Sequence, residues 1–205
     1  MSRVFLLSPA HCGGQRARIL MSPRAEFDLA RRLRGPGGAP LGEVFSFMSG
    51  LYFRGKLAYA RAFAGEASDD VRVITPAEGL LPPDVMVDLS RLQHYATVDI
   101  HAGDARYRDP LLRDIRALLA RRPAGTRFVL LGSVATGKYV DPLHEVLGDR
   151  LVFPPAFVGR GDMSRGGLLL RCAAAGEELA YAPVVGSARH GPRPPRLVPR
   201  RGTGP

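Results

Sequence analysis

The run Phe128-Val129-Leu130-Leu131 contains no polar residue and passes directly into Gly132-Ser133-Val134-Ala135-Thr136-Gly137-Lys138, after which a helical pattern extends to Leu147. A strand that is apolar at every position has to be covered on both faces, as an interior strand of a parallel sheet is. Strand, glycine loop and helix in succession form half of a βαβ unit, which narrows the chain to the α/β class. Val4-Phe5-Leu6-Leu7, Val71-Arg72-Val73-Ile74 and Leu151-Val152-Phe153 read as further strands, and Val85-Met86-Val87 as a less regular fifth.

Helical spacing separates these runs. Residues 109–122 carry Leu111, Leu112, Ile115, Leu118 and Leu119 on one stripe, with Asp109 as cap, Pro110 at the first helical position and Pro123 as the stop. Helices are also expected over 52–64, from Gly137 to Leu147 and from Ser164 to Ala175, with shorter ones around 24–34 and 41–48. The sum is a three-layer α/β fold: a mainly parallel central sheet of four to five strands, with helices on both faces. Residues 1–185 are expected to form one domain, and 34–40 a surface loop within it. From Gly186 to Pro205 the Pro, Arg and Gly content reads as an extended, disordered basic tail.

Composition limits the function. The formal charge is +10 over 205 residues, and the tail accounts for half of it through Arg189, Arg193, Arg196, Arg200 and Arg201. A moderately basic body suits DNA, RNA, a nucleotide or another phosphorylated metabolite, and equally a basic surface that binds nothing. Cys12 and Cys172 cannot build a disulfide framework, and the opening apolar run is too short for a signal peptide or a membrane span. A cytoplasmic location with no membrane partner is therefore expected. Lysine is almost absent: only Lys56 and Lys138 stand beside 27 arginines, and each follows a glycine. An ammonium and a guanidinium differ in size and in how readily burial shifts their pKa, so a retained lysine suggests a specific chemical need.

The loops that follow parallel strands share one edge of a sheet, where ligands bind. The loop at 132–138 has the form G-x-x-x-x-G-K, which cradles phosphate on backbone amides at a helix start. Tyr139 occupies the position where nucleoside triphosphatases place the magnesium-binding Ser or Thr, and only one clear strand follows. A phosphate loop in another frame is the expectation, with Gly132, Ser133, Gly137 and Lys138 as its anion contacts. Arg160 and Arg165, in the loop after the last strand, are candidates to fork a phosphate.

His11 and Cys12 follow the first strand. Sequence neighbours seldom form a Cys–His nucleophile pair, and no zinc-ligand spacing accompanies them. His11 is a candidate acid/base or phosphate ligand, and Cys12 a buried wall residue. Glu78 and Asp162 are the candidate carboxylates for proton transfer or for a sugar hydroxyl. Asp162 and Ser164 also compete for a structural role, capping the last helix. Phe45, Phe47, Phe53, Tyr59 and Phe63 recur at helical intervals as core residues, whereas Tyr52 joins Cys12 and Gly13 in the expected pocket wall. No metal-ligand set and no identifiable cofactor emerge.

Cys12-Gly13 after the opening strand, Leu51-Tyr52-Phe53 at a helix start, and Val73-Ile74-Thr75-Pro76-Ala77-Glu78-Gly79-Leu80-Leu81-Pro82-Pro83-Asp84 resemble small prokaryotic α/β proteins. Those proteins look related to the uracil-DNA-glycosylase-like domain of archaeosine synthase. The resemblance spans about residues 4–88 in motif. It implies a three-layer fold and a link to nucleobases in DNA or RNA. The Gly-Gln-Asp-Pro and His-Pro-Ser motifs of typical uracil-DNA glycosylases are missing, so no catalytic residue carries over.

The leading expectation is an enzyme directed at a nucleobase or nucleotide, in nucleic acid or as a phosphorylated nucleoside. The alternatives are a non-catalytic nucleic-acid-binding protein and a phosphate or nucleotide sensor. Geometrically, the enzyme reading asks His11, Glu78, Lys138 and Arg160 or Arg165 to converge in one pocket.

Overall fold

Side chains along β1 (Arg3–Leu7) alternate between two cores: Phe5 and Leu7 face one, Val4 and Leu6 the other. The same split recurs in β6 (Arg127–Leu131), where Val129 and Leu131 join the first core and Phe128 and Leu130 the second. This is why both runs are apolar throughout: neither strand has a solvent face. The structure is a computed structural model that describes residues 2–65, 70–195 and 197.

The central sheet has six strands in the order β4-β3-β1-β6-β7-β8. Its interior is parallel: β1 lies between β3 (Val71–Ile74) and β6, and β7 (Leu151–Phe153) follows beyond β6. Antiparallel edge strands close both sides, β4 (Leu80–Leu81) on β3 and β8 (Ala182–Pro183) on β7. These two-residue edges have no periodicity, so the sheet is wider than the expected four to five strands. The Val85–Val87 segment is not in this sheet. Its residues Met86–Val87 form β5, which pairs with β2 (Ala39–Pro40) in a separate ribbon.

Helices α6 (Ala105–Ala120) and α7 (Gly137–Leu147) cover one face through Leu111, Ile115, Leu143 and Leu147. The other face is covered by α1 (Gln15–Met21), α2 (Asp28–Arg34), α3 (Leu41–Ser49), α4 (Leu51–Phe63), α5 (Leu89–Ala96) and α8 (Asp162–Ala175). The expected three-layer arrangement is therefore present. Helix α6 starts at Ala105 on the Asp104 cap, whose carboxylate accepts from the Arg106 amide at 2.9 Å, so Pro110 lies inside the helix rather than at its first position. Pro142 likewise lies inside α7, where it cannot donate to the Lys138 carbonyl. The Tyr107 hydroxyl of α6 donates to that carbonyl instead, at 3.0 Å.

Helices α4 and α8 cross in direct backbone contact. A Cβ on Gly55 would lie 2.5 Å from the Gly166 carbonyl oxygen, and one on Gly166 would lie 2.6 Å from that of Leu51. Only glycine at both positions allows this approach. It brings the start of α8 against the face of α4 that carries Tyr52 and Lys56.

Residues 191–195 and 197 of the basic segment lie along the start of α8 and the turn before it. The Pro192 carbonyl sits against Gly159, and Arg160 Nη1 donates to the Pro195 carbonyl at 3.4 Å. The disorder expected from sequence covers 186–205; of that span, residue 196 and residues 198–205 lie outside the described residues.

Candidate functional site

From β1 the chain travels to β3 on one side; from β3 it crosses to β6 on the other side of β1. The order of a parallel sheet thus reverses between β1 and β6, and at such a point the following loops diverge and leave a crevice. A cavity of about 600 Å³ occupies that place. The loop after β1 contributes Ser8 to Gly13, the loop after β6 contributes Ser133 and Lys138, and Tyr52 of α4 and Asp162 of α8 close a further side. Tyr95 of α5 and Asp99 beyond it complete the rim.

The β6–α7 side is the one read from the glycine pattern. Gly137 opens α7, and the loop places Ser133 and Lys138 in the cavity. Both side chains are half-buried, with Lys138 Nζ 5.0 Å from the centre of the Tyr139 ring. Gly132 packs beneath Ser8: a Cβ there would stand 2.8 Å from the Ser8 Cβ. The Asp141 carboxylate folds back over Gly137, with an oxygen 2.0 Å from where a Cβ would be.

In the β1 loop, His11 is exposed at the rim while Cys12 is buried beneath it. Burial pushes the Cys12 thiol up to about 12, and its Sγ lies 3.6 Å from the Ala10 carbonyl oxygen. A thiol held protonated is a wall residue, not a nucleophile. Tyr52 is 5% exposed, and its hydroxyl lies beside the Arg165 guanidinium without a well-aligned hydrogen bond. Burial raises its pKa, so the group stays a neutral donor. Asp162 is the first residue of α8, whose Gly161 cap makes no side-chain cap bond. The expected capping by Asp162 or Ser164 is therefore not formed, and the Asp162 carboxylate is open to the cavity and to Arg165 at 3.5 Å.

The expected convergence is partial. His11 and Lys138 meet, together with Asp162, Ser133, Cys12, Gly13 and Tyr52. Glu78 stands outside the cavity, gripped by the Arg91 guanidinium and by the Tyr95 hydroxyl at 3.0 Å. Those bonds, Arg91 first, hold its carboxyl below the usual range, which makes it a poor proton acceptor near neutrality. Arg165 is buried behind the site, donating to the Phe157 carbonyl at 3.2 Å. Arg160 faces a separate groove of about 330 Å³ shared with Ser164, Arg171 and Arg193.

Ser8, absent from the sequence expectations, and Lys56, noted there only for the scarcity of lysine, complete the site. Ser8 lines the cavity at the end of β1, and Lys56 lies behind it with no exposed surface. The Lys56 Nζ is 2.9 Å from Ser8 Oγ and 2.6 Å from the Ser8 carbonyl oxygen, over the rings of Tyr52 and Phe53 at 4.5 and 4.8 Å. Burial lowers its pKa to about 7. The signal for Lys56 was the scarcity of lysine: of the two lysines in an arginine-rich chain, Lys138 lines the cavity and Lys56 lies directly behind its wall.

Among the described residues, no group of three or more His, Cys, Asp or Glu side chains is placed to hold a metal ion, and no helix is long and apolar enough to cross a membrane. No family model, curated protein or solved structure matches the chain.

Proposed function

We propose that the switch-point cavity binds a phosphorylated nucleoside and that the protein is an enzyme acting on it. The observation that carries this reading is the placement of Ser133 and Lys138, at the head of α7, across the crevice from His11. Oriented amides at a helix start, a hydroxyl and an ammonium form an anion site, and His11 adds an imidazole at its rim. The volume of about 600 Å³ falls within the roughly 300–1,000 Å³ typical of small-molecule sites. Tyr52, Tyr95 and Tyr139 supply aromatic wall for a base, while Asp99 and Asp162 supply acceptors for base or sugar donors. The resemblance to uracil-DNA-glycosylase-like domains points to the same ligand class.

Calorimetry against nucleoside mono-, di- and triphosphates, with and without magnesium, tests this. At least one member is expected to bind with a Kd below about 1 mM, and Lys138→Ala to weaken it at least about tenfold, or 1.4 kcal/mol. Absence of binding across the panel overturns the reading. A second reading, non-catalytic nucleic-acid binding, is favoured by Arg160, Arg171 and Arg193 around their own groove. It replaces the first if DNA or RNA binding falls steeply with salt, depends on those arginines and is indifferent to Lys138→Ala.

A further inference from the structure

A buried lysine without a carboxylate in hydrogen-bond contact is costly, because a desolvated ammonium lacks the compensation that water gives it. Among the described residues, the hydrogen bonds of Lys56 run to Ser8, through its carbonyl and hydroxyl oxygens. A lysine needed only to hold the end of β1 could be replaced by a neutral donor at lower cost. What a desolvated amine adds is the ability to lose its proton near neutral pH and then accept another.

We propose that Ser8 is a nucleophile and Lys56 its general base, and that the cavity hydrolyses a carboxylic ester of a small anionic molecule. The 2.9 Å contact between Lys56 Nζ and Ser8 Oγ is the nucleophile–base hydrogen bond that such chemistry requires. While Nζ accepts from the hydroxyl, one of its own N–H groups donates to the Ser8 carbonyl at 2.6 Å, which fixes the amine's orientation. Ser8 itself is held in place: its amide donates to the Leu131 carbonyl at 3.2 Å, and Gly132 leaves its side chain just enough room. The Tyr52 hydroxyl, buried on the α4 side of the same cavity beside Arg165, keeps its own O–H as a donor for a developing oxyanion.

Besides the ester, the reaction consumes only water. Ser8 Oγ bonds to the acyl carbon, its proton passes to Lys56 Nζ, and the alkoxide leaves with that proton as the ester C–O bond breaks. In the second half, water gives a proton to Nζ and attacks the acyl carbon. The Oγ–C bond then breaks, and Oγ recovers the proton. The other charged groups that bear on Lys56 are Asp162 and Arg165 of α8, with opposite effects, while burial lowers its pKa to about 7. The base form is therefore present at neutral pH.

This inference rests on the cavity being the ligand site, but not on the ligand being a nucleotide. The test is covalent labelling of the full chain with a fluorophosphonate, in which serine attacks phosphorus and fluoride leaves. The expected result is one adduct, mapped to Ser8, absent in Ser8→Ala, forming about tenfold faster per pH unit up to a plateau near 7. Lys56→Met, close in shape and without the charge, is expected to remain folded by circular dichroism and to label at least about 100-fold more slowly. Should Lys56→Met fail to fold, the wild-type pH profile alone decides. No Ser8 adduct on folded protein, a rate flat from about pH 5.5 to 8.5, or undiminished labelling of folded Lys56→Met overturns the proposal. Labelling without nucleotide binding leaves this pair standing and removes the nucleotide reading. Nucleotide binding without a Ser8 adduct does the reverse.

Discussion

The cavity has two lysine-bearing walls, held in place by different physics. On the α4/α8 wall, Tyr52 and Lys56 are sealed from solvent, and two backbones fix their position where they touch at Gly55 and Gly166. On the β6–α7 wall, Ser133 and Lys138 are half-buried, and the path of the loop aims them. Water solvates the charge on the open wall, which can therefore attract an anion without a large standing cost. On the sealed wall the charge state is set by the protein, which suits proton transfer. The two proposed roles, anion binding and proton handling, would thus fall on different walls of one crevice.

The largest effect is expected from breaking the sealed wall at its crossing. Gly166→Ala places a methyl 2.6 Å from the Leu51 carbonyl oxygen and must push α8 off α4. A cost of roughly 3 kcal/mol in urea denaturation is expected, by analogy with overpacked cores. Its neighbour is the control: a Cβ on Gly167 meets only the Leu197 side chain at 3.5 Å, so Gly167→Ala should be neutral or stabilising by up to about 1 kcal/mol. Equal costs at the two positions would mean that the crossing does not hold the wall.

A smaller effect, with a sign that depends on pH, is expected at Lys56. Its folded pKa of about 7 lies below the ordinary 10.5, so the folded state disfavours the ammonium. Below about pH 7 both folded and unfolded chains carry the proton and the penalty is full. Between about 7 and 10.5 the unfolded chain binds more protons, and stability rises with pH. Wild type should therefore gain roughly 2–3 kcal/mol on Lys56→Met between about pH 6 and 9, measured by denaturation at each pH. A difference that stays flat over this range would place the Lys56 pKa near that of an ordinary solvated lysine.

The two walls also differ in how far they could be read in advance. The open wall is local: a strand, a glycine loop and a helix within 20 residues, so pattern and spacing disclosed Ser133, Gly137 and Lys138 together. The four parallel strands were legible for a related reason, since double-sided burial leaves an unbroken apolar run. The sealed wall joins Ser8, the α4 pair Tyr52 and Lys56, and Asp162 from three distant parts of the chain, and the contact that assembles it is a pair of glycines 111 positions apart. Gly55 and Gly166 sit mid-helix, where sequence alone gives a glycine only a propensity cost. Edge strands β4 and β8 were missed because two residues carry no period, and the start of α6 was set by the Asp104 cap rather than by Pro110.

Glu78 shows the limit of reasoning from loops alone, and the smallest expected effect lies there. Its loop does reach the edge of the sheet, and Pro76 touches the cavity, but the Thr75 hydroxyl accepts from the Glu78 amide at 2.9 Å and the carboxylate is drawn to Arg91 and Tyr95. The side chain thereby anchors a cavity residue, Tyr95, from behind. Glu78→Gln removes the ion pair at a site that is about one-third exposed on both partners, so a loss of about 1 kcal/mol is expected. Because the folded pKa is lowered from 4.5, this contribution is full above that value and disappears as pH falls through the folded pKa. Wild type and Glu78→Gln should therefore differ in thermal stability at neutral pH and converge in acid. If Glu78→Gln instead keeps full stability and abolishes nucleotide binding, the carboxylate belongs to the ligand site, and the crevice has a third wall built from the loop after β3.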